Sequence, residues 1–163
     1  MNNQSEIYFE YLTTPIGQLE ICANESAITS IYFSNVQQQY AQTSELTHEA
    51  AAQLTAYFNG NLTEFQLPLG SAGTEFQQQV WQALCHIPFG STCSYADIAN
   101  QLQNPKAVRA VGAANGKNPI SIVVPCHRVI GKNGTLTGYA GGLDRKSWLL
   151  ALEQKVNGTI SKR

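Results

Sequence analysis

No lysine or arginine occurs in the first 104 residues of this 163-residue chain, although ten follow. Nine of the eleven acidic residues lie before that point, so residues 1–104 carry −9 and residues 105–163 carry +8, while the whole sums to −1. Any polyanion-binding surface therefore belongs to the later part. Two structural readings stand beside nucleic-acid binding: a dipolar protein with two solvated faces, or an acidic half docked on a basic one.

Long apolar runs are missing as well. No stretch reaches the length of a membrane span, and the start MNNQSEIYFE lacks the positive charge and apolar run of an export signal. A soluble, cytoplasmic protein without membrane contacts is predicted. The cysteines Cys22, Cys85, Cys93 and Cys126 form no C-x-x-C pair, which speaks for reduced thiols rather than a disulfide framework. His48, His86 and His127 could join them as ligands, but none at zinc-finger spacing, so no metal is expected. Internal repeats, heptads and low-complexity tracts are also lacking.

What is present divides into two units, 1–73 and 74–163. The alternating segments EIYFEYLTT, GQLEICA and AITSIYF, separated by turn residues, predict a small antiparallel meander. SELTHEAAAQLTAYFNG follows as a helix, with Leu46, Ala50, Leu54, Tyr57 and Phe58 near helical spacing and Gly60 at its stop. The segment ending in Pro68, Gly70, Ser71 and Gly73 reads as a linker. Thr74 with Gln77 then forms a capping box ahead of a helix whose Phe76, Val80, Leu84 and Ile87 share a face. Ser94 with Asp97 caps a second, short helix, YADIANQL. Asn104 as N-cap and Pro105 at the first helical position open a third, ending before Gly116. The last two predict a helix-turn-helix.

On the third of these helices Ala107, Val108, Val111 and Ala114 cluster on one side, with Lys106, Arg109 and Ala113 opposite, flanked by Gly112 and Gly116. A small, positive outer face lets a backbone approach DNA closely and brings a cation to phosphates or a base stack. The plainer reading is an alanine-rich helix with a solvated arginine.

ISIVVPCHRVIG poses the chemical question. The β-branched run predicts a short buried strand; Pro125 cannot donate to a ladder, so pairing should end at Cys126, placing the thiol where a rigid element meets a loop. Buried inert cysteine is the alternative. In the final helix Trp148, Leu149, Leu152 and Val156 make an apolar stripe that also contains Glu153. A carboxylate there needs a partner. His127 would suit: Glu153 could stabilise its positive form, and that in turn would keep Cys126 as thiolate, the general pattern of an activated nucleophile. Pairing of Glu153 with Lys or Arg, or its escape to solvent, stays open, and a cysteine hydrolase or a DNA-binding protein with an inert thiol would use the same residues.

These residues carry a family resemblance. SYADIA, NPKAVRAVGAANGKNPISIVVPCHRVIG, GYAGGL and WLLALE, from Phe76 to Glu153, resemble the O6-alkylguanine-DNA alkyltransferases, or methylated-DNA-protein-cysteine methyltransferases. The P-C-H-R-V block is highly specific; the first unit matches more loosely, through element order and TPIGQL. The resemblance implies an α+β protein, with a small ribonuclease-H-like α/β domain followed by a mainly helical helix-turn-helix active-site domain. It implies irreversible transfer of an alkyl group from O6-alkylguanine in double-stranded DNA to Cys126, once per molecule, by a monomer without cofactor, and O4-alkylthymine is a further candidate substrate. His127 would relay the thiol proton through water, Glu153 complete the relay, Asn118 brace the turn, and Tyr95 donate to the leaving guanine. Arg109 would enter the base stack, with Lys106, Ala107, Ala110, Ala113 and Arg128 as further DNA contacts. Val129, Tyr139, Ala140 and Gly141 would line the base pocket. The other three cysteines are expected as packing residues.

Overall fold

The computed structural model describes residues 6–39 and 41–161, which divide into two compact units, Met1–Ala72 and Gly73–Arg163. In the first, β1 (Tyr8–Thr14), β2 (Gly17–Ala23) and β3 (Ile28–Phe33) form an antiparallel sheet in sequence order. The register pairs Tyr8 with Ala23 and Leu19 with Phe33. Alternation along β2 explains its two faces. Leu19, Ile21 and Ala23 are fully buried and α1 (Glu45–Phe58) lies across all three strands, contributing the fully buried Ala50, Leu54 and Tyr57. Each large aliphatic side chain so buried is worth about 2 kcal/mol. Ser44 caps α1 through a capping box with Thr47, and Gly60, at φ +77, follows its end.

The second unit begins with α2 (Glu75–Leu84), where Thr74 and Gln77 exchange the two bonds of a capping box. A Cβ on Gly73 would lie 2.5 Å from the Trp81 ring, so glycine there lets the chain enter tightly. The short β4 (Cys93–Ser94) leads into α3 (Tyr95–Gln101), capped by Ser94 and Asp97 as expected from the sequence. The turn after α3 differs from expectation. Gln103 takes a left-handed φ of 58° and the Asn104 amide reaches back to the Ala99 carbonyl at 3.0 Å. Asn104 therefore finishes α3 in a Schellman closure and does not cap the next helix. Pro105 and Lys106 lie in a turn, and α4 (Val108–Gly116) starts later than predicted, includes Gly116 and has no side-chain cap.

The predicted strand over ISIVV also does not form. Instead the chain folds into a tight turn in which Val124 N–H bonds Ile120 O at 3.0 Å, with Ile122 at φ +74. Asn118 explains why. Its side chain accepts from Ile120 N at 3.0 Å and donates to Val124 O at 2.8 Å, engaging backbone groups that a strand ladder would have used. A 3-10 turn over Cys126–Arg128 follows, then β5 (Val129–Ile130), which pairs in parallel with β4. The final helix is α5 (Leu143–Ser161).

Candidate active site

The 3-10 turn aims three consecutive side chains inward. Cys126, His127 and Arg128 are 4%, 0% and 6% exposed. From α5, the residues at relative positions 0, 3 and 7 of one face, Lys146, Leu149 and Glu153, are completely buried. Glu153 Oε2 lies 2.6 Å from His127 Nε2, and Arg128 grips both carboxylate oxygens, Nε to Oε1 at 2.8 Å and Nη2 to Oε2 at 3.1 Å. Arg128 also donates to Ile87 O at 2.8 Å, and the Gly90 amide donates to Glu153 Oε1 at 3.3 Å. Gly90 is required there: at φ +80, a Cβ would meet Asn157 of α5 at 2.7 Å.

Burial and the charged neighbours shift these groups in different directions. It would raise the Glu153 carboxyl, but hydrogen bonds and charge from His127 and Arg128 outweigh it and hold the group at about 2. Burial lowers His127 below its ordinary value, against the opposing pull of Glu153. Burial raises the Cys126 thiol, partly offset by Asn118 and by the charge of Lys146. Both shifts favour a neutral imidazole beside a thiol over the imidazolium–thiolate pair expected from the sequence. With Glu153 ionised, Nε2 carries the imidazole proton and donates it to the carboxylate, leaving Nδ1 as a base.

A second network sits beside the first. Lys146 Nζ donates to Val129 O and to Thr137 O, both at 2.6 Å, tying β5 to the loop 131–142. Burial lowers its ammonium, and nearby Cys126 opposes that shift. Thr137 Oγ1 is 3.0 Å from the Tyr95 hydroxyl, and the Tyr95 ring packs beside Gly112 of α4, where a Cβ would make only an ordinary contact at 3.8 Å. Val129 is fully buried, Tyr139 and Gly141 half-buried and Ala140 exposed.

Asn118, Cys126, His127 and Glu153 thus gather on one turn and the facing helix. On α4 and the turn before it, Lys106, Arg109, Ala110 and Ala113 are exposed and Ala107 half-buried. Val108, expected on the inner side, is 38% exposed because the late helix start places it in the open first turn. Arg128 is a correction too: its guanidinium is consumed by Glu153 and Ile87, so it anchors the carboxylate instead of offering a DNA contact. Cys22 is buried and Cys93 half-buried, whereas Cys85, expected in packing, is exposed. Sequence reasoning missed Lys146 and Thr137. The lysine stands three residues before Leu149 and seven before Glu153, a helical spacing that could have flagged it.

Comparison with known proteins adds the decisive observation. Residues 75–155 match the DNA-binding domain of 6-O-methylguanine DNA methyltransferase and residues 7–70 its ribonuclease-like domain. The chain belongs to the 6-O-methylguanine DNA methyltransferase family. Among relatives, the methylated-DNA–protein-cysteine methyltransferase of Methanosarcina mazei is 46% identical over 91% of this chain and 98% of its own. That of Mycolicibacterium paratuberculosis is 48% identical over 91% and 93%. The structure of Mycobacterium tuberculosis OGT in complex with DNA superposes with a TM-score of 0.83 at 47% identity, covering 91% of this chain and 94% of that one. In this methyltransferase family the fold is α+β, with a small sheet domain preceding a helical one, as expected from the sequence. No helix among the described residues is long and apolar enough to cross a membrane.

Proposed function

We propose that this chain repairs DNA by moving the alkyl group of O6-alkylguanine onto its own Cys126, acting as a methylated-DNA-[protein]-cysteine S-methyltransferase. The observation that carries the reading is the buried line from Cys126 through neighbouring His127 to Glu153, backed by Arg128. The thiol proton passes through water to His127 Nδ1, and the imidazolium formed is stabilised by Glu153. Sγ attacks the alkyl carbon, the S–C bond forms, and the C–O6 bond breaks with its electron pair leaving on guanine. Tyr95 donates to the departing base, whose developing charge needs a donor. The product thioether has no route back to thiol, so each molecule reacts once.

A base inside a duplex must be turned out before Sγ can reach it. Arg109 fills the gap in the stack, with exposed Lys106, Ala110 and Ala113 and half-buried Ala107 set against the backbone. Val129 and Tyr139–Gly141 receive the base. The protein works in the cytoplasm as a monomer on double-stranded DNA.

Intact-protein mass spectrometry after incubation with O6-methylguanine duplex tests the reading. One methyl adduct per molecule, mapped to Cys126 and abolished by Cys126→Ala while lesion binding persists, is expected. An unmodified Cys126 overturns it. Arg109→Ala should slow reaction in duplex roughly tenfold more than reaction with the free modified base, since only the duplex demands extrusion. Equal losses would remove Arg109 from that role.

A further inference from the structure

Among the described residues three buried side-chain polar atoms stand without a hydrogen-bond partner: His127 Nδ1, Asn115 Oδ1 and Tyr139 Oη. Asn115 lies on α4 at 2% exposure, and its Nδ2 reaches the Cys126 carbonyl at 3.5 Å. That contact sets the amide's orientation, because the reverse would bring two oxygens together. An unmet buried acceptor costs about 1–3 kcal/mol, so its persistence calls for a function or a partner. Asn118 cannot supply the same service. Its oxygen is engaged by Ile120 N, and its nitrogen serves Val124 O, Ile120 O and the Cys126 sulfur itself.

We infer that Asn115 is a positioning residue for the proton relay, its Oδ1 accepting one hydrogen of the relay water while that water donates the other to His127 Nδ1 and accepts from the Cys126 thiol. This rests on the reading of Cys126 as alkyl acceptor. A water with three such partners matches the usual coordination of buried water. In transfer, the thiol proton moves to the water oxygen as the water's own proton moves to Nδ1; the hydrogen on Asn115 Oδ1 stays put. Asn115 fixes which lone pair faces the thiol, so it acts on proton transfer and not on the base. The other charged or titratable groups around this point are Lys146 and Glu153 from α5, Arg128 from the 3-10 turn and Tyr139 from the loop.

Single-turnover rates of alkyl transfer, measured from pH 6 to 10 with methylated duplex and with free O6-benzylguanine, test this. Asn115→Leu should lose roughly tenfold near neutrality on both substrates, the effect of one hydrogen bond in the relay. Its deficit should shrink as pH rises, because hydroxide then removes the thiol proton without the relay. Asn115→Asp, which keeps an acceptor oxygen, should regain part of the rate. Three outcomes overturn the inference: no loss of rate in Asn115→Leu, a deficit constant at every pH, or a deficit confined to duplex. If Asn115→Leu melts early, Asn115→Ala is read by the same criteria. Absence of any adduct in the unaltered protein would sink the alkyl-transfer reading instead, so the two failures are separable.

Discussion

Each unit buries a cysteine and a carboxylate, and the two pairs are handled in opposite ways. In the sheet, Glu20 accepts from Tyr11 at 2.7 Å, from Tyr32, and from the thiol of Cys22 at 3.4 Å. All its donors are neutral. Burial, reinforced by the bond to Glu20, pushes Cys22 up to about 11, and the same carboxylate raises Tyr32 strongly. A thiol that donates its hydrogen bond to an anion holds its proton more firmly, so this cluster is a lock. In the helical unit the carboxylate is bound by a guanidinium and an imidazole, and the thiol neighbours an imidazole nitrogen with no partner. Burial alone does not make a cysteine inert or reactive; the charge state of its neighbours' partners does.

The comparison breaks most readily at the sulfurs. Cys126→Ser should abolish the alkyl adduct, whereas Cys22→Ser should leave its yield unchanged in mass spectrometry. A Cys22-dependent yield would erase the distinction between lock and relay.

Removing the carboxylates comes next in size. Glu153→Gln strands the buried Arg128 charge, so a loss of about 3–5 kcal/mol is expected from denaturant melts, with a large fall in transfer rate. Glu20→Gln keeps an acceptor for the tyrosine hydroxyls and should cost only about 1 kcal/mol. Similar losses for both would mean that Arg128 is less desolvated than its burial indicates.

Lys146→Met should cost about 2 kcal/mol and slow transfer, since the Val129 and Thr137 carbonyls lose their donor and Cys126 loses a favourable charge. An unchanged melting curve and rate would remove Lys146 from the site.

Acid stability gives a further contrast. The folded value of about 2 for Glu153 lies below its ordinary 4.5, so its contribution is full above pH 4.5 and lost as pH falls toward 2. His127, also depressed, withdraws stability as pH falls below its ordinary 6.5. Stability should therefore rise with pH across this range, and more shallowly in Glu153→Gln. An identical slope in that variant would show that other groups carry the dependence.

Much of the fold was legible because its signals are local. The boxes at Thr74–Gln77 and Ser94–Asp97 are fulfilled within four residues, and the alternation in GQLEICA suffices to mark β2 as a strand, though both of its faces are buried from Leu19 to Ala23. The turn before Cys126 was not legible, because ISIVV has strand propensity and only the Asn118 side chain diverts it. Arg128 misled for a related reason. An arginine beside a nucleophile in a basic half suggests DNA until a carboxylate from a helix 25 residues away claims it.

Chain composition and local spacing by themselves determined that cationic charge is confined to the second unit, that short capped helices follow a meander, and that Cys126, His127 and Glu153 are chemically matched. Only tertiary structure decided that Asn104 closes a helix instead of opening one, that Arg128 and Lys146 turn inward, and that burial shifts Cys126 toward the thiol and His127 toward the neutral imidazole. The physical reason is desolvation: the cost of burying a charge depends on which distant groups surround it, and no window of neighbouring residues contains them.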